Sequence, residues 1–251
     1  MDPSKFIYLI IMLIVLYYLI SWYTSSSTSL SKRTSTDIQT IQPGKKTYTS
    51  GHSYAYSIWF NITDWTERFG NDKIIFIKRS SALGAVNGEY GSPNVHPDDV
   101  LVVSLDSYEN NLKILVPYNS NNSSGGIERK THKCIIYGIP IQKWVNIILS
   151  FDQKVLDVYM DGKLVKTCIM PNIPDKEVSA SRHNLYLSPT DATFKGEISN
   201  FKFFKSSLNP QEAWQIYKEG FGSGVLSGLV NRYKMKIAFL KDDQEFNSFM
   251  L

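Results

Sequence analysis

The chain has little cysteine: Cys134 and Cys168 are the only two in 251 residues, too few for a disulfide-built fold. A stable core must therefore come from apolar burial. Histidine is sparse and scattered, with His52, His96, His132 and His183 showing neither H-x-x-x-H nor H-E-x-x-H spacing, so no metal site of those kinds is encoded. No charge of one sign prevails. The 27 Lys and Arg against 23 Asp and Glu form no single cationic stripe, which argues against nucleic acid as a partner. The glycine-rich stretch 220–228 (GFGSGVLSG) lacks a G-K-[ST] ending and reads as a connection, not as a phosphate loop. Also absent is the alternation of strand and helix patterns that marks a βαβ protein.

What the chain does have is aromatic residues, 15 Tyr and 13 Phe, which suit pleated, half-buried surfaces. It also has one long charge-free run, residues 6–23 (FIYLIIMLIVLYYLISWY). Eighteen residues at helical rise cover about 27 Å, near the hydrocarbon thickness of a bilayer. Eleven of them are Leu, Ile, Val or Phe, together worth roughly −3 to −7 kcal/mol on an insertion scale. Tyr17, Tyr18, Trp22 and Tyr23 gather at one end, as interface-seeking aromatics do. The run is expected to be a retained single-pass anchor, the alternative being a cleaved signal peptide. Lys5 on one side and Lys32 and Arg33 on the other leave its orientation open. Residues 1–5 form a short tail. Residues 24–46 are rich in Ser and Thr, almost without large apolar side chains, and read as a flexible stalk with a reach of about 26 Å.

Residues 47–251 read as strands. Tyr54, Tyr56, Ile58, Phe60 and Ile62 alternate with their neighbours at period two. Residues 73–78, 100–105 and 112–116 are short apolar runs between polar clusters. In residues 144–168, Val145, Ile147, Leu149 and Phe151 line one strand, and Leu156, Val158 and Met160 the next. Asp161-Gly162 suits a type I′ turn, so three antiparallel strands form a meander. Residues 185–187 and 198–204 add strands, and Tyr233 to Phe239 alternate as a late strand expected to rejoin the sheet. One helix is signposted by Asn209 as N-cap, Pro210 at the first turn, Glu212 closing a capping box and Gly220 past the end. The expected fold is all-β, a two-sheet antiparallel sandwich with one short helix, preceded by the transmembrane helix.

The strings 139–144 (IPIQKW), 156–164 (LDVYMDGKL) and 196–201 (GEISNF) resemble the laminin-G-like, concanavalin A-like jelly-roll domains. Residues 209–217 and 236–251 are similar to a subset of these encoded by large double-stranded DNA viruses of algae and protists, often with an N-terminal hydrophobic anchor. The resemblance implies a jelly roll over roughly residues 50–251. It also raises two activities found on this fold. Glucanases need paired carboxylates, set about 5–5.5 Å apart in retaining enzymes, usually from E-x-D-x-x-E. No such string occurs here: Asp98 and Asp99 are adjacent, Asp157 and Asp161 four apart, and Glu197 is paired with Ser199. No catalytic residue is therefore assigned. Relatives that bind Ca²⁺ use loop carboxylates, for which Asp98, Asp99, Asp106 and Glu109 are the candidates; no other cofactor is expected.

Trp65, in an Asp-Trp-Thr-Glu loop, is the candidate for stacking on a sugar, whereas Trp59 and Trp144 suit core packing. Cys134 and Cys168 bracket the meander and can be bridged or remain buried thiols. Sequons at Asn61, Asn121 and Asn122 are candidates for N-glycosylation. The reading that follows is a non-catalytic, membrane-anchored module of a virion, in the virion or host membrane. Its partners would be the bilayer through residues 6–23 and other capsid or membrane proteins. A lectin-like glycan receptor is the alternative and a glycosidase with a non-standard site the second.

Overall fold

The structure is a computed structural model that describes residues 8, 11–19, 27–31, 34–35, 39–41, 51–79, 99–121, 125–174, 184–189, 193–222, 236–241 and 244–250. Residues 11–19 form a helix, α1, and Tyr8 is helical as well. Among the described residues no helix is long and apolar enough to cross a membrane, and the remainder of the 6–23 run lies outside them.

The alternating segments of the sequence become β4 (Ser53–Asp64), β9 (Trp144–Asp152) and β10 (Val155–Met160). Together with β11 (Lys163–Ile169), β13 (Lys195–Phe204), β1 (Ser27–Ser31) and β2 (Thr34–Ser35) they make one antiparallel sheet. Its order is β1-β13-β4-β9-β10-β11, with β2 also on β13. The second sheet has the order β3-β12-β5-β6-β7-β8. It is built from β3 (Gln39–Ile41), β5 (Lys73–Arg79), β6 (Asp99–Leu105), β7 (Leu112–Asn121), β8 (Ile127–Ile136) and β12 (Asn184–Leu187). The sheets pack face to face. Tyr56, Ile58, Phe60, Ile147, Leu149 and Phe203 from the first meet Phe76, Leu101, Val103, Ile114 and Leu187 from the second in one buried cluster. The three-strand meander forms as expected, with Asp161 (φ 51°) and Gly162 (φ 75°) both in the left-handed region that a type I′ turn requires.

The outer face of the first sheet is covered by α2 (Pro210–Glu219). Asn209 accepts from the Glu212 N–H at 2.9 Å while the Glu212 carboxylate accepts from the Asn209 N–H at 2.8 Å, the reciprocal capping box the sequence predicts. Ala213 and Ile216 pack on Ala55, Ile148 and Tyr159. The approach is close: a Cβ at Gly162 would stand 2.8 Å from the Trp214 ring and 2.9 Å from Tyr217 Cβ, so only glycine fits there. Trp59, buried as expected, stacks on Tyr217 at 5.5 Å between centroids, whereas Trp144 is half-buried and stacks on Phe221 at 4.6 Å outside the core clusters.

Two expectations are corrected. The described parts of the 24–46 segment are strands and not free stalk: β1 and β2 extend the first sheet beside β13, and β3 extends the second beside β12. An edge strand is held by backbone hydrogen bonds and needs few apolar side chains, which is why a Ser/Thr-rich segment can serve. Leu30 alone of the described side chains in this segment packs on the core. The late strand does not rejoin the sandwich. It becomes β14 (Lys236–Lys241), paired with β15 (Gln244–Met250) in a two-stranded sheet of their own.

At the opposite edges of the sheets, Cys134 on β8 and Cys168 on β11 form a disulfide with Cα atoms 6.2 Å apart. The two sheets are thus tied along both sides, by the continuous chain β1-β2-β3 on one and by the disulfide on the other.

A chain beginning at residue 47 is expected to lose the strands covering β13 and β12 and to aggregate through the bare edges. One beginning at residue 24 should elute as a single species. Size-exclusion chromatography of the two distinguishes this from a dispensable stalk, for which both would behave alike. A second prediction concerns Lys78, buried between the sheets with its ammonium donating to the Tyr56 hydroxyl at 3.2 Å. Burial pushes its pKa down from 10.5 to about 7. Between those values the unfolded chain holds a proton that folded Lys78 has released, so stability rises with pH across that window and is lowest below it. Urea midpoints at about pH 7 and about pH 9.5 should show the rise, and Lys78→Met should flatten it.

Candidate functional site

The strand registers place five connections at one pole of the sandwich: those after β4, β6, β8, β10 and β12. Three are cross-bonded. The Gly70 N–H donates to the Ser107 carbonyl at 3.0 Å, joining the β4–β5 and β6–β7 loops. The Ile139 N–H donates to the Asn110 carbonyl at 2.6 Å, the Asn110 amide to the Ile139 carbonyl at 2.9 Å, and the Gly138 N–H to Asn111 Oδ1 at 3.1 Å, joining the β6–β7 and β8–β9 loops. Gln142 closes the ring by donating to the Ile62 carbonyl at 2.8 Å. Backbone groups that loops ordinarily leave to water are here spent on one another, which fixes the loops relative to the sheets.

Beneath the loops lies an ion pair network. Lys113, buried at the start of β7, reaches Asp72 at 2.5 Å and Asp106 at 3.4 Å, bridging the first two loops. Burial raises the Asp106 carboxyl, but the Tyr108 N–H, the Lys113 ammonium and Ser107 outweigh it and hold the group below the usual carboxylate range. Lys73 is wholly buried beside them, its Nζ making no hydrogen bond and lying 4.3 Å from the centre of the Trp65 ring. Burial lowers its pKa, with Asp72 opposing.

Above this base the loops hold large aromatic side chains in solvent. Phe69 is 60 % exposed and Tyr108 65 % exposed, and they meet edge to face at 5.5 Å. Gly70, at φ 85°, lies under the Tyr108 ring, whose hydroxyl would stand 3.7 Å from a Cβ at that position. Tyr137, 67 % exposed, stands beside Gly138, with the Lys166 ammonium 5.8 Å from its ring centre. Exposed aromatics on loops fixed from below are amphipathic contact surfaces, able to stack on an apolar ring face while their edges and hydroxyls take polar partners.

The residues singled out by sequence fall differently. Trp65 is half-buried against the main core, with Lys73 over its ring, so it is not the open stacking platform expected. The three described members of the acidic quartet do not converge. Asp99 is buried at the start of β6, where it accepts from Arg79 Nε at 2.6 Å, while Asp106 and Glu109 lie beyond the other end of that strand. Asp98 lies outside the described residues, among which no group of His, Cys, Asp and Glu suits a metal ion. Asp157 accepts from Thr167 at 2.5 Å, and Asp161 from the Asn146 N–H at 3.0 Å. Asn61 sits half-buried in β4 between β13 and β9, Asn121 is exposed at the end of β7, and Asn122 lies outside the described residues. The missed residues carry a recoverable signal: each aromatic is set in turn-forming sequence, as Arg68-Phe69-Gly70-Asn71, Ser107-Tyr108-Glu109-Asn110 and Tyr137-Gly138.

If Lys113 is the base of the pole, Lys113→Met should cost about 3 kcal/mol by leaving Asp72 and Asp106 facing each other without their cation. Phe69→Ala and Tyr108→Ala should each stay within about 0.5 kcal/mol of the parent, because their rings face solvent. Urea titration of the three variants checks the contrast.

No protein-family model matches the chain, and no curated protein does. Solved structures do. The receptor binding domain of botulinum neurotoxin mosaic serotype C/D superposes with a TM-score of 0.53 at 11 % identity, over 81 % of this chain and 43 % of that one. Another structure of that mosaic domain gives 0.51 at 14 % identity, over 77 % and 44 %. The botulinum neurotoxin serotype D ligand binding domain, in complex with N-acetylneuraminic acid, gives 0.51 at 12 % identity, over 84 % and 44 %. The chain spans less than half the length of each of these domains, and the likeness is one of fold alone, an antiparallel two-sheet sandwich.

Proposed function

We propose that the protein is a non-catalytic, lectin-like glycan-binding module whose site is the loop pole bearing Phe69, Tyr108 and Tyr137. The observation that carries this reading is the exposed, edge-to-face Phe69–Tyr108 pair held by hydrogen bonds between three loops. Sugar rings offer apolar C–H faces to such side chains. A surface already ordered loses less freedom on binding. Neighbouring Glu109 and Lys166 supply charged partners for hydroxyl or acidic groups, and the fold is shared with a toxin domain solved with N-acetylneuraminic acid bound.

The N-terminal run belongs to the same proposal as a membrane anchor. Every described side chain of α1 is exposed, including Ile11, Met12, Leu13, Ile14, Val15 and Leu16, and a helix apolar on all sides calls for lipid or protein around it. The chain enters the sandwich at Ser27, paired with Phe204 at the pole opposite the aromatic loops. The twelve residues of β4 separate the poles by about 40 Å. An anchor in a bilayer would therefore leave the loops directed away from the anchored end. A second reading, a virion component holding a membrane to a protein shell, rests on the sequence resemblance alone; for that reading, purified virions should contain the chain by mass spectrometry.

Glycan-array binding by residues 24–251 tests the main reading. Binding to at least one sugar class is expected, with a loss of about tenfold or more (about 1.4 kcal/mol) in Phe69→Ala/Tyr108→Ala. An array without binding, or binding indifferent to the double substitution, contradicts it.

A further inference from the structure

We infer that the domain folds in an oxidising, extracytoplasmic compartment and that Asn121 is N-glycosylated there. The inference is independent of the glycan-binding reading and rests on two separate features.

The first is the disulfide. Cys134 and Cys168 belong to different sheets, yet their Cα atoms lie 6.2 Å apart with both side chains buried, at 1 % and 7 % exposure. Such a pair persists oxidised where the surroundings are oxidising, and is kept as thiols by the reducing pool of a cytosol. Forming the bond removes two protons and two electrons from the thiols. The electrons pass by thiol–disulfide exchange to the disulfide of an oxidoreductase, through a mixed disulfide. Once closed, the bridge is shielded from attacking thiolates by its burial.

The second is the contrast between two sequons that look alike in sequence. Asn61 is half-buried in an interior strand, hydrogen-bonded to β13 on one side and β9 on the other. Its Oδ1 is buried, and its carbonyl lies so near Gly196 that a Cβ there would meet it at 2.0 Å. The half-buried Asn61 side chain, with its oxygen out of solvent, leaves a glycan less room than a fully exposed asparagine does. Asn121 is exposed, at the last position of β7 where the hairpin to Ile127 begins, with Ser123 completing the sequon. It stands at the pole opposite the aromatic loops, so a glycan there leaves them uncovered. In the modification, the Asn121 amide nitrogen bonds to the anomeric carbon of an oligosaccharide carried on a polyprenyl diphosphate. The amide gives up one proton, and the diphosphate leaves with the bonding electron pair.

Translation of the full chain in the presence of microsomes tests both features. The expected product has a slower-migrating band that endoglycosidase H collapses, present in Asn61→Gln and absent in Asn121→Gln. Its cysteines should take up maleimide only after denaturation with reductant. Maleimide uptake in denaturant without reductant, a product without the endoglycosidase-sensitive band, or a band that survives Asn121→Gln would each overturn the inference.

Discussion

Everything in the fold depends on keeping the apolar inner faces of two sheets against each other, and that depends on how the sheet edges are held. In a two-sheet sandwich the central strands have hydrogen-bonded neighbours on both sides, but the four edge strands do not. Here the edges are joined in pairs. The disulfide links β8 to β11, and on the far side the chain passes from β1 through β2 to β3, so one short segment closes both sheets. The 34-residue separation between the cysteines corresponds to about 4 kcal/mol of chain-entropy stabilisation. That is a large share of the ordinary stability of a domain.

Held in this way, the sheets can project loops without those loops having to contribute to the core. Lys113 lies where the two requirements meet, anchoring Asp72 and Asp106 below the surface while the loops above hydrogen-bond to one another. Tyr108 and Phe69 can then face water at little cost, because their backbones are already fixed. The polarity of the chain completes the arrangement: Ser27 enters at one pole and the aromatic loops close the other.

Much of this was legible in the sequence, and the exceptions share a cause. Strands with one apolar face against the core, such as β4, β9 and β10, announce themselves by period-two alternation, and the capped helix by Asn209 and Glu212. What periodicity cannot show is an edge strand. In β8 only Cys134 and Ile136 are buried while its first five residues are exposed, and β1, with Leu30 as its one core contact, has almost no apolar pattern. These strands are defined by backbone pairing with neighbours distant in sequence, which leaves little trace in side-chain type. β5 shows in the sequence by a different sign, a short apolar run in place of alternation, because it is buried along its whole length, with Ile75 and Phe76 both reaching the core beside a register shift. The site was harder still. Trp65 is conspicuous as a loop tryptophan, yet it turns inward under Lys73, while the outward-facing rings belong to less conspicuous Phe and Tyr residues. Which aromatic faces solvent is decided by loop conformation, as at Gly70 and Gly138, and loop conformation is set by contacts between loops.

The central claim is that recognition takes place at the pole carrying Phe69, Tyr108 and Tyr137, and amide chemical-shift mapping tests it most directly. Titrating isotopically labelled residues 24–251 with an oligosaccharide that the protein retains should perturb amides in segments 64–72, 106–111 and 137–143, leaving the β7–β8 hairpin and α2 unchanged. Perturbations centred on α2, on the β8 and β11 edges or at the pole where Ser27 enters would contradict it.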